Sequence, residues 1–225
     1  MIEEWRHFLY PLGFLSSLVF GSRFLIQWIH SELRRTCIVT RAFWILSIIG
    51  NTLLLIHSVV QVQFHVAIIQ TCNAVIAWRN LNLMKSDERS ISFSIVINIM
   101  AMALLTTTGV FVAQASLSPA EGIAWIRTPK LPWLSYDVGA ISSLWHWLGM
   151  IGMILFSLRF WVQWWHAEKH QRSTLNPAFW WTSLIGSSLS LIYFARIHDP
   201  VNLVGPLFGM VPYVRNLILI KASNS

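Results

Sequence analysis

Long apolar runs separated by short polar connections occupy most of the chain. Seven stand out, at 9–29, 42–60, 64–84, 92–114, 142–165, 178–196 and 201–220. Each approaches the roughly 20 residues a helix needs to cross a bilayer. None alternates strictly between apolar and polar positions, as a membrane strand would. Only a helix satisfies its own backbone in lipid without closing a barrel. The pattern therefore predicts an all-α integral membrane protein with seven spans. The third and seventh runs each hold several polar residues.

The second half of the pattern copies the first. SRFLIQWIHSE at 22–32 recurs as LRFWVQWWHAE at 158–168, AFWILSIIG at 42–50 as AFWWTSLIG at 178–186, and WRNLNL at 78–83 as VRNLIL at 214–219. All three pairs are offset by 136 residues, and aligning 13–83 with 149–219 without a gap gives 22 identities in 71 positions. Shared apolar composition does not align Arg, Gln, His, Glu and Asn. The expected organisation is a three-helix repeat over 9–84, a connecting part over 85–141 with a span at 92–114 and an outer loop, and a second three-helix repeat over 142–221. An odd number of spans per repeat inverts the second copy, and the extra span restores its direction. The two repeats should then be parallel, related by an axis along the membrane normal.

Composition agrees. Of 225 residues 55% are hydrophobic and only 11% charged, against roughly 25% charged in a soluble domain. The formal charge of +7, from 16 Lys and Arg against 9 Asp and Glu, is spread between apolar runs and suits anionic lipid headgroups better than nucleic acid. With the N-terminus outside, Arg34, Arg35, Arg41, Lys85, Arg89, Lys169, Arg172 and Lys221 fall in inner connections, and Arg6, Arg127, Lys130 and Arg196 in outer ones. This excess predicts an outside N-terminus and a cytoplasmic C-terminus. The loop at 115–141, with Pro119, Pro129, Pro132, Trp125 and Trp133, is expected on the membrane surface. The N-terminus lacks a basic segment and a small-residue cleavage site, so no removable signal peptide is expected. Cys37 and Cys72 have no metal-ligand spacing.

Four arginines fall within or at the inner edge of spans as two repeat-related pairs, Arg23 with Arg159 and Arg79 with Arg215. The topology places all four near the cytoplasmic helix ends. Helical spacing puts Gln27 and His30 on the stripe of Arg23, and Gln163 and His166 on that of Arg159. Asn80 and Asn216 follow Arg79 and Arg215. Guanidinium groups beside amide donors suit a phosphate or a phosphorylated sugar. The plain alternative is that these arginines snorkel to the headgroups, pair with Glu32 or Glu168, or serve folding alone. Trp28, Trp44, Trp164, Trp165, Trp180 and Trp181 near span ends fit an interfacial belt, with sugar stacking as the alternative. Ser47, Gly50, Ser183, Gly186, Ser187 and Ser188 fit close helix packing, and Asn51, Asn73 and Asn202 face a cavity or a neighbouring helix. No catalytic or metal-binding constellation and no cofactor motif is present. The apolar runs contain no acidic residue, which argues against a proton-coupled pump.

The pattern Arg-Phe-x-x-Gln-Trp (Arg23, Phe24, Gln27, Trp28), then Phe-Trp-x-x-Ser-x-x-Gly (Phe43, Trp44, Ser47, Gly50), then Arg-Asn-Leu (Arg79, Asn80, Leu81), resembles the lipid A biosynthesis N-terminal domain family. The second copy carries it as Arg159, Phe160, Gln163, Trp164, Phe179, Trp180, Ser183, Gly186, Arg215, Asn216 and Leu217. That family is similar to the PQ-loop and SWEET-like superfamily, which implies a 3+1+3 architecture. Members occur alone or ahead of a lipid-A-disaccharide synthase in bacteria with outer membranes. Gln70, a family feature of the third helix, faces Pro206 in the second copy, so the halves are not expected to be equivalent. The resemblance implies a multi-pass module of the bacterial inner membrane that binds, presents or moves a phosphorylated glycolipid at the cytoplasmic leaflet. It would not be an enzyme by itself, any synthase activity belonging to a glycosyltransferase partner or a further C-terminal part. A SWEET-like sugar or small-solute carrier, with a cavity lined by Asn51, Asn73 and Ser187, and a membrane anchor for a glycosyltransferase are the other two readings.

Overall fold

The computed structural model describes residues 2–37, 39–84, 91–117 and 141–223. The outer-loop prolines and tryptophans between 118 and 140, with Lys85, Arg89, Arg127 and Lys130, lie outside them. The described chain forms α1 (Ile2–Phe8), α2 (Pro11–Arg34), α3 (Arg41–Val60), α4 (Phe64–Leu83), α5 (Phe93–Leu117), α6 (Ser143–His170), α7 (Pro177–Arg196) and α8 (Pro200–Ser223). There is no β-strand among the described residues.

Among the described residues six stretches, Trp5–Arg34 and the helices α3, α5, α6, α7 and α8, are long and apolar enough to cross a membrane. The remaining expected span, the third, is α4, which is 20 residues long but carries Gln70, Thr71, Asn73, Arg79, Asn80 and Asn82. Its buried positions include the neighbours Thr71, Cys72 and Asn73 and also Arg79 and Asn80, so protein surrounds it on more than one face. It packs on α3, α5 and α6. A helix enclosed in this way satisfies polar side chains on its neighbours and does not need apolar composition. The outer faces of other helices are greasy: Leu18 and Leu25 of α2 are 62% and 51% exposed, as lipid-facing residues should be.

Sequence duplication becomes local geometry. Thr40 and Asn176, 136 residues apart, both cap a helix by accepting a hydrogen bond, from Phe43 N at 3.3 Å and from Phe179 N at 3.0 Å. Such caps satisfy backbone donors that the first turn leaves free. Arg35 and Gln171 end α2 and α6 in left-handed conformations, with φ of 53° and 49°. Val62 and His198 repeat this in the α3–α4 and α7–α8 turns, with φ of 58° and 54°. A left-handed β-branched residue such as Val62 is rarely tolerated. Within each copy the first helix packs on the second and the second on the third; between copies α2 packs on α8 and α4 on α6, while α5 lies on α4. One aromatic core, containing Phe24, Phe43, Trp44, Phe160, Trp180 and Tyr213, is shared by both copies.

Close helix packing rests on small residues, but unequally. A Cβ at Gly186 would stand 2.5 Å from the backbone nitrogen of Phe156 in α6, whereas at Gly50 it would meet only the Phe20 ring, at 2.6 Å. A ring can turn aside and a backbone cannot. Gly186→Ala is therefore expected to lower stability by about 1–3 kcal/mol and Gly50→Ala by less. Thermal unfolding of the two purified variants in detergent checks this, and equal melting temperatures would refute the difference.

Candidate two-arginine cavity

Arg23 sits near the middle of α2, twelve residues after Pro11 and eleven before Arg34. Arg159 is likewise interior to α6, eleven residues before His170. The sequence placed both near helix ends because the apolar runs that contain them end at 29 and 165; the helices continue through Arg34 and His170. Their side chains are only 3% and 1% exposed, so simple snorkelling to headgroups does not describe them.

The two guanidinium groups meet across the halves. The Arg23 guanidinium carbon lies 4.7 Å from the Phe24 ring centre and 5.4 Å from that of Phe160. That of Arg159 lies 4.6 Å from Phe160 and 5.7 Å from Phe24. Each also covers the ring three residues earlier, Phe20 at 4.5 Å and Phe156 at 3.4 Å. Arg23 Nη1 donates to Ser47 Oγ at 2.7 Å, and Arg159 Nη1 donates to Tyr213 Oη at 2.9 Å. Nε of both arginines is buried without a hydrogen-bond acceptor. Removing a cation from water costs several kcal/mol, and a desolvated aromatic contact returns about 2 kcal/mol. Two like charges so placed leave a deficit that an anion between them would offset.

A cavity of about 80 Å³ opens on the Pro11 side of the arginines. Ser17, Asn51, Gln70, Asn73, Ser190 and Asn202 form its polar wall. About 10–15 Å³ of such space suffices for one water, so there is room for several waters or a small polar group. Asn51 Nδ2, Ser190 Oγ and Asn73 Oδ1 are buried there without partners. Counting the two Nε atoms, three of these five buried atoms can only donate, which suits a ligand that mainly accepts. Of the polar residues expected around such a space, Asn51, Asn73 and Asn202 line it; Ser190 does so rather than its neighbour Ser187.

The other predicted site residues bond to one another on the Arg34 side. Gln27 and Asn216 exchange amide hydrogen bonds, Gln27 Nε2 to Asn216 Oδ1 at 3.0 Å and Asn216 Nδ2 to Gln27 Oε1 at 3.2 Å. Gln163 and Asn80 repeat the exchange at 2.5 and 2.9 Å. Beyond them, Arg79 grips Glu168 with Nε to Oε1 at 2.5 Å and Nη2 to Oε2 at 2.9 Å. Arg215 grips Glu32 with Nε to Oε2 at 2.7 Å and Nη2 to Oε1 at 2.5 Å. Every one of these contacts joins one copy to the other. The repeat-related ion pairs differ in setting: Arg79 and Glu168 are 2% and 11% exposed, Arg215 and Glu32 38% and 43%. His30 is exposed and bonded to the Ile26 carbonyl, and His166 packs on His170 at 4.2 Å.

Trp44 and Trp180 are fully buried rather than members of an interfacial belt, whereas Trp165 and Trp181 are exposed. Trp44 Nε1 donates to Ser173 Oγ at 3.0 Å, and that hydroxyl to Asn80 Oδ1 at 2.8 Å, which ties α3 to these amide pairs. Tyr213, which holds Arg159, has Ala77 as its counterpart in the first copy, so comparing the repeats could not flag it. Ser47 reads in sequence as a packing residue, and its role as an acceptor for Arg23 appears only in three dimensions. Both cysteines are free, and burial pushes the Cys37 thiol up to about 11.

The family described as Lipid A Biosynthesis N-terminal domain matches this chain twice, over residues 12–82 and 148–218. The chain is also similar to proteins named lipid-A-disaccharide synthase. The one from Chlamydia felis is 40% identical over 214 residues, 95% of this chain and 33% of that protein. Those from Chlamydia pneumoniae and Chlamydia trachomatis serovar D are 38% and 32% identical, over 95% and 93% of this chain and 33% of each relative. The chain thus spans about a third of the length of the curated relatives it matches. No solved structure matches it.

Proposed function

This chain belongs to the Lipid A Biosynthesis N-terminal domain family, and from that premise we propose that it binds a phosphorylated glycolipid through a phosphate held between Arg23 and Arg159. The observation that carries the reading is the pair of buried guanidinium groups, one from each copy, at one end of a donor-rich cavity. In this reading the copies are two parallel three-helix repeats joined by α5 as the inversion helix, in the 3+1+3 manner of SWEET-like carriers. The N-terminus faces outside across the bacterial inner membrane and the C-terminus is cytoplasmic. The layer formed by Gln27, Asn80, Gln163, Asn216, Arg79 and Arg215 closes the cytoplasmic side. These groups reach the ligand's sugar or phosphate oxygens only when the copies part, and that motion would present or translocate the lipid. The glycolipid would be handed to, or received from, a glycosyltransferase of the lipid-A-disaccharide synthase type.

A second reading, a sugar or small-solute carrier, is favoured by the amide groups of Asn51, Gln70 and Asn73 on the cavity wall. Uptake of a labelled sugar into proteoliposomes supports it, as does indifference to anionic lipid. Native mass spectrometry of the protein released from bacterial membranes separates the readings. We expect a retained species with the mass of a phosphorylated glycolipid. Co-purification of neutral and zwitterionic lipids alone would exclude the phosphate reading.

A further inference from the structure

Buried carboxylates are rare in membrane bundles and mark function when they occur. Asp199 is one that the apolar pattern hides, because it stands in the short connection between α7 and α8. It is 2% exposed. Its Oδ1 accepts from Asn202 N at 3.1 Å and its Oδ2 from Asn202 Nδ2 at 2.8 Å. The Gln63 amide also donates to it. Gln63, 3% exposed, is its counterpart 136 residues earlier. The two copies therefore touch here, at the Pro11 end, as they do at the Arg34 end through the amide pairs.

Asp199 is linked to the same cavity through its neighbours and is not itself a lining residue. Val201 and Asn202, next to it in the chain and bonded to it, line the space, and the Val201 carbonyl accepts from Ser17 Oγ at 3.0 Å. The carboxylate thus stands at the Pro11 end and the two guanidinium groups at the opposite end. Other titratable groups around this end are Arg6 of α1, Tyr10 ahead of α2, His57 of α3, His65 of α4, His146 of α6, Tyr193 of α7 and His198, beside Asp199 in the chain. Tyr10 and Tyr193 lie within the electrostatic reach of Asp199, Tyr10 stands edge-on to His57 at 5.2 Å, and His146 Nδ1 lies 3.1 Å from the Tyr193 hydroxyl.

We infer that Asp199 is the proton site of this cavity, and that an anion entering between Arg23 and Arg159 brings one proton with it onto the Asp199 carboxylate. The inference rests on the phosphate reading of the cavity. Its physical basis is that an anion at the arginines and a carboxylate beyond the other end of the same low-dielectric space repel across it, and protonation relieves that repulsion. Burial already pushes the Asp199 carboxyl above the usual carboxylate range, against the hydrogen bonds from Asn202, Val201 and Gln63. Helix capping needs only the side-chain oxygen, which asparagine supplies equally well; the charge is therefore surplus to that role.

The complex holds one more proton than the free protein, so affinity falls as pH rises through the range above the free carboxyl pKa. Binding of a short-chain phosphatidic acid to the full chain in zwitterionic nanodiscs, from about pH 5.5 to about pH 8.5, reads this out. Relative to Asp199→Asn, the parent should lose affinity as pH rises, by up to about tenfold per pH unit between the carboxyl pKa of the free protein and that of the complex. The ratio cancels ionisation of the probe itself. Gln63→Leu removes a donor to the charged carboxylate, so its decline should begin at higher pH than in the parent. A ratio that does not change with pH, or a Gln63→Leu curve that coincides with the parent, overturns the proton inference while leaving the phosphate site standing. Undiminished binding by Arg23→Gln/Arg159→Gln overturns the phosphate site, and this inference with it.

Discussion

Replacing Arg23 and Arg159 together with glutamine is expected to abolish retention of phosphorylated lipid while the protein still inserts and folds. A hydrogen bond from a charged donor contributes about 1.5–3 kcal/mol. Losing two such donors weakens binding by at least about 100-fold, at 1.4 kcal/mol per tenfold. Folding should be spared, because each guanidinium is buried among phenylalanine rings at a desolvation cost that glutamine avoids. Glutamine also keeps a donor for Ser47 and for Tyr213. The check is binding of a phosphate-monoester lipid to the variant, beside its thermal unfolding. Strong loss of binding with an unchanged or raised melting temperature is the expected result. If melting falls and binding persists, the arginines are structural.

The second large effect concerns stability and the unequal ion pairs. Arg79→Met should destabilise the bundle by about 3–5 kcal/mol, because it strands the Glu168 carboxylate at a nearly sealed position. Glu168 would keep Trp164 Nε1 as a partner, at 3.0 Å, and the Ile91 carbonyl would lose the 2.8 Å bond from Arg79 Nη1. Arg215→Met, at the repeat-related position, should change stability little, since water replaces the lost partner of an exposed Glu32. Chemical unfolding in mixed micelles compares the two. The Arg79–Glu168 pair is then the costlier of the two repeat-related ion pairs to part. Equal losses in the two variants would remove this distinction.

What the linear chain settled was what depends on period and identity. Apolar runs of bilayer length fixed an all-α membrane protein, and the 136-residue offset fixed its duplication, because both are properties of the chain itself. The motif residues were also legible as important: Arg23, Gln27, Arg79 and Asn80, with their copies, all occupy contacts between the halves. Their tasks were not legible. Helical spacing places Gln27 beside Arg23, yet Gln27 turns to Asn216, 189 residues away, while Arg23 turns to the cavity. Arg79 and Arg215 carry the same motif, and only the depth of packing around α4 makes one pair buried and the other exposed. Tyr213 and Asp199 left no trace in the repeat, since Ala77 and Gln63 stand in their places. Local pattern encodes which face of a helix is polar. Which partner that face meets, and with how little water, is decided by contacts between residues far apart in sequence, and burial then sets the energy of each charge.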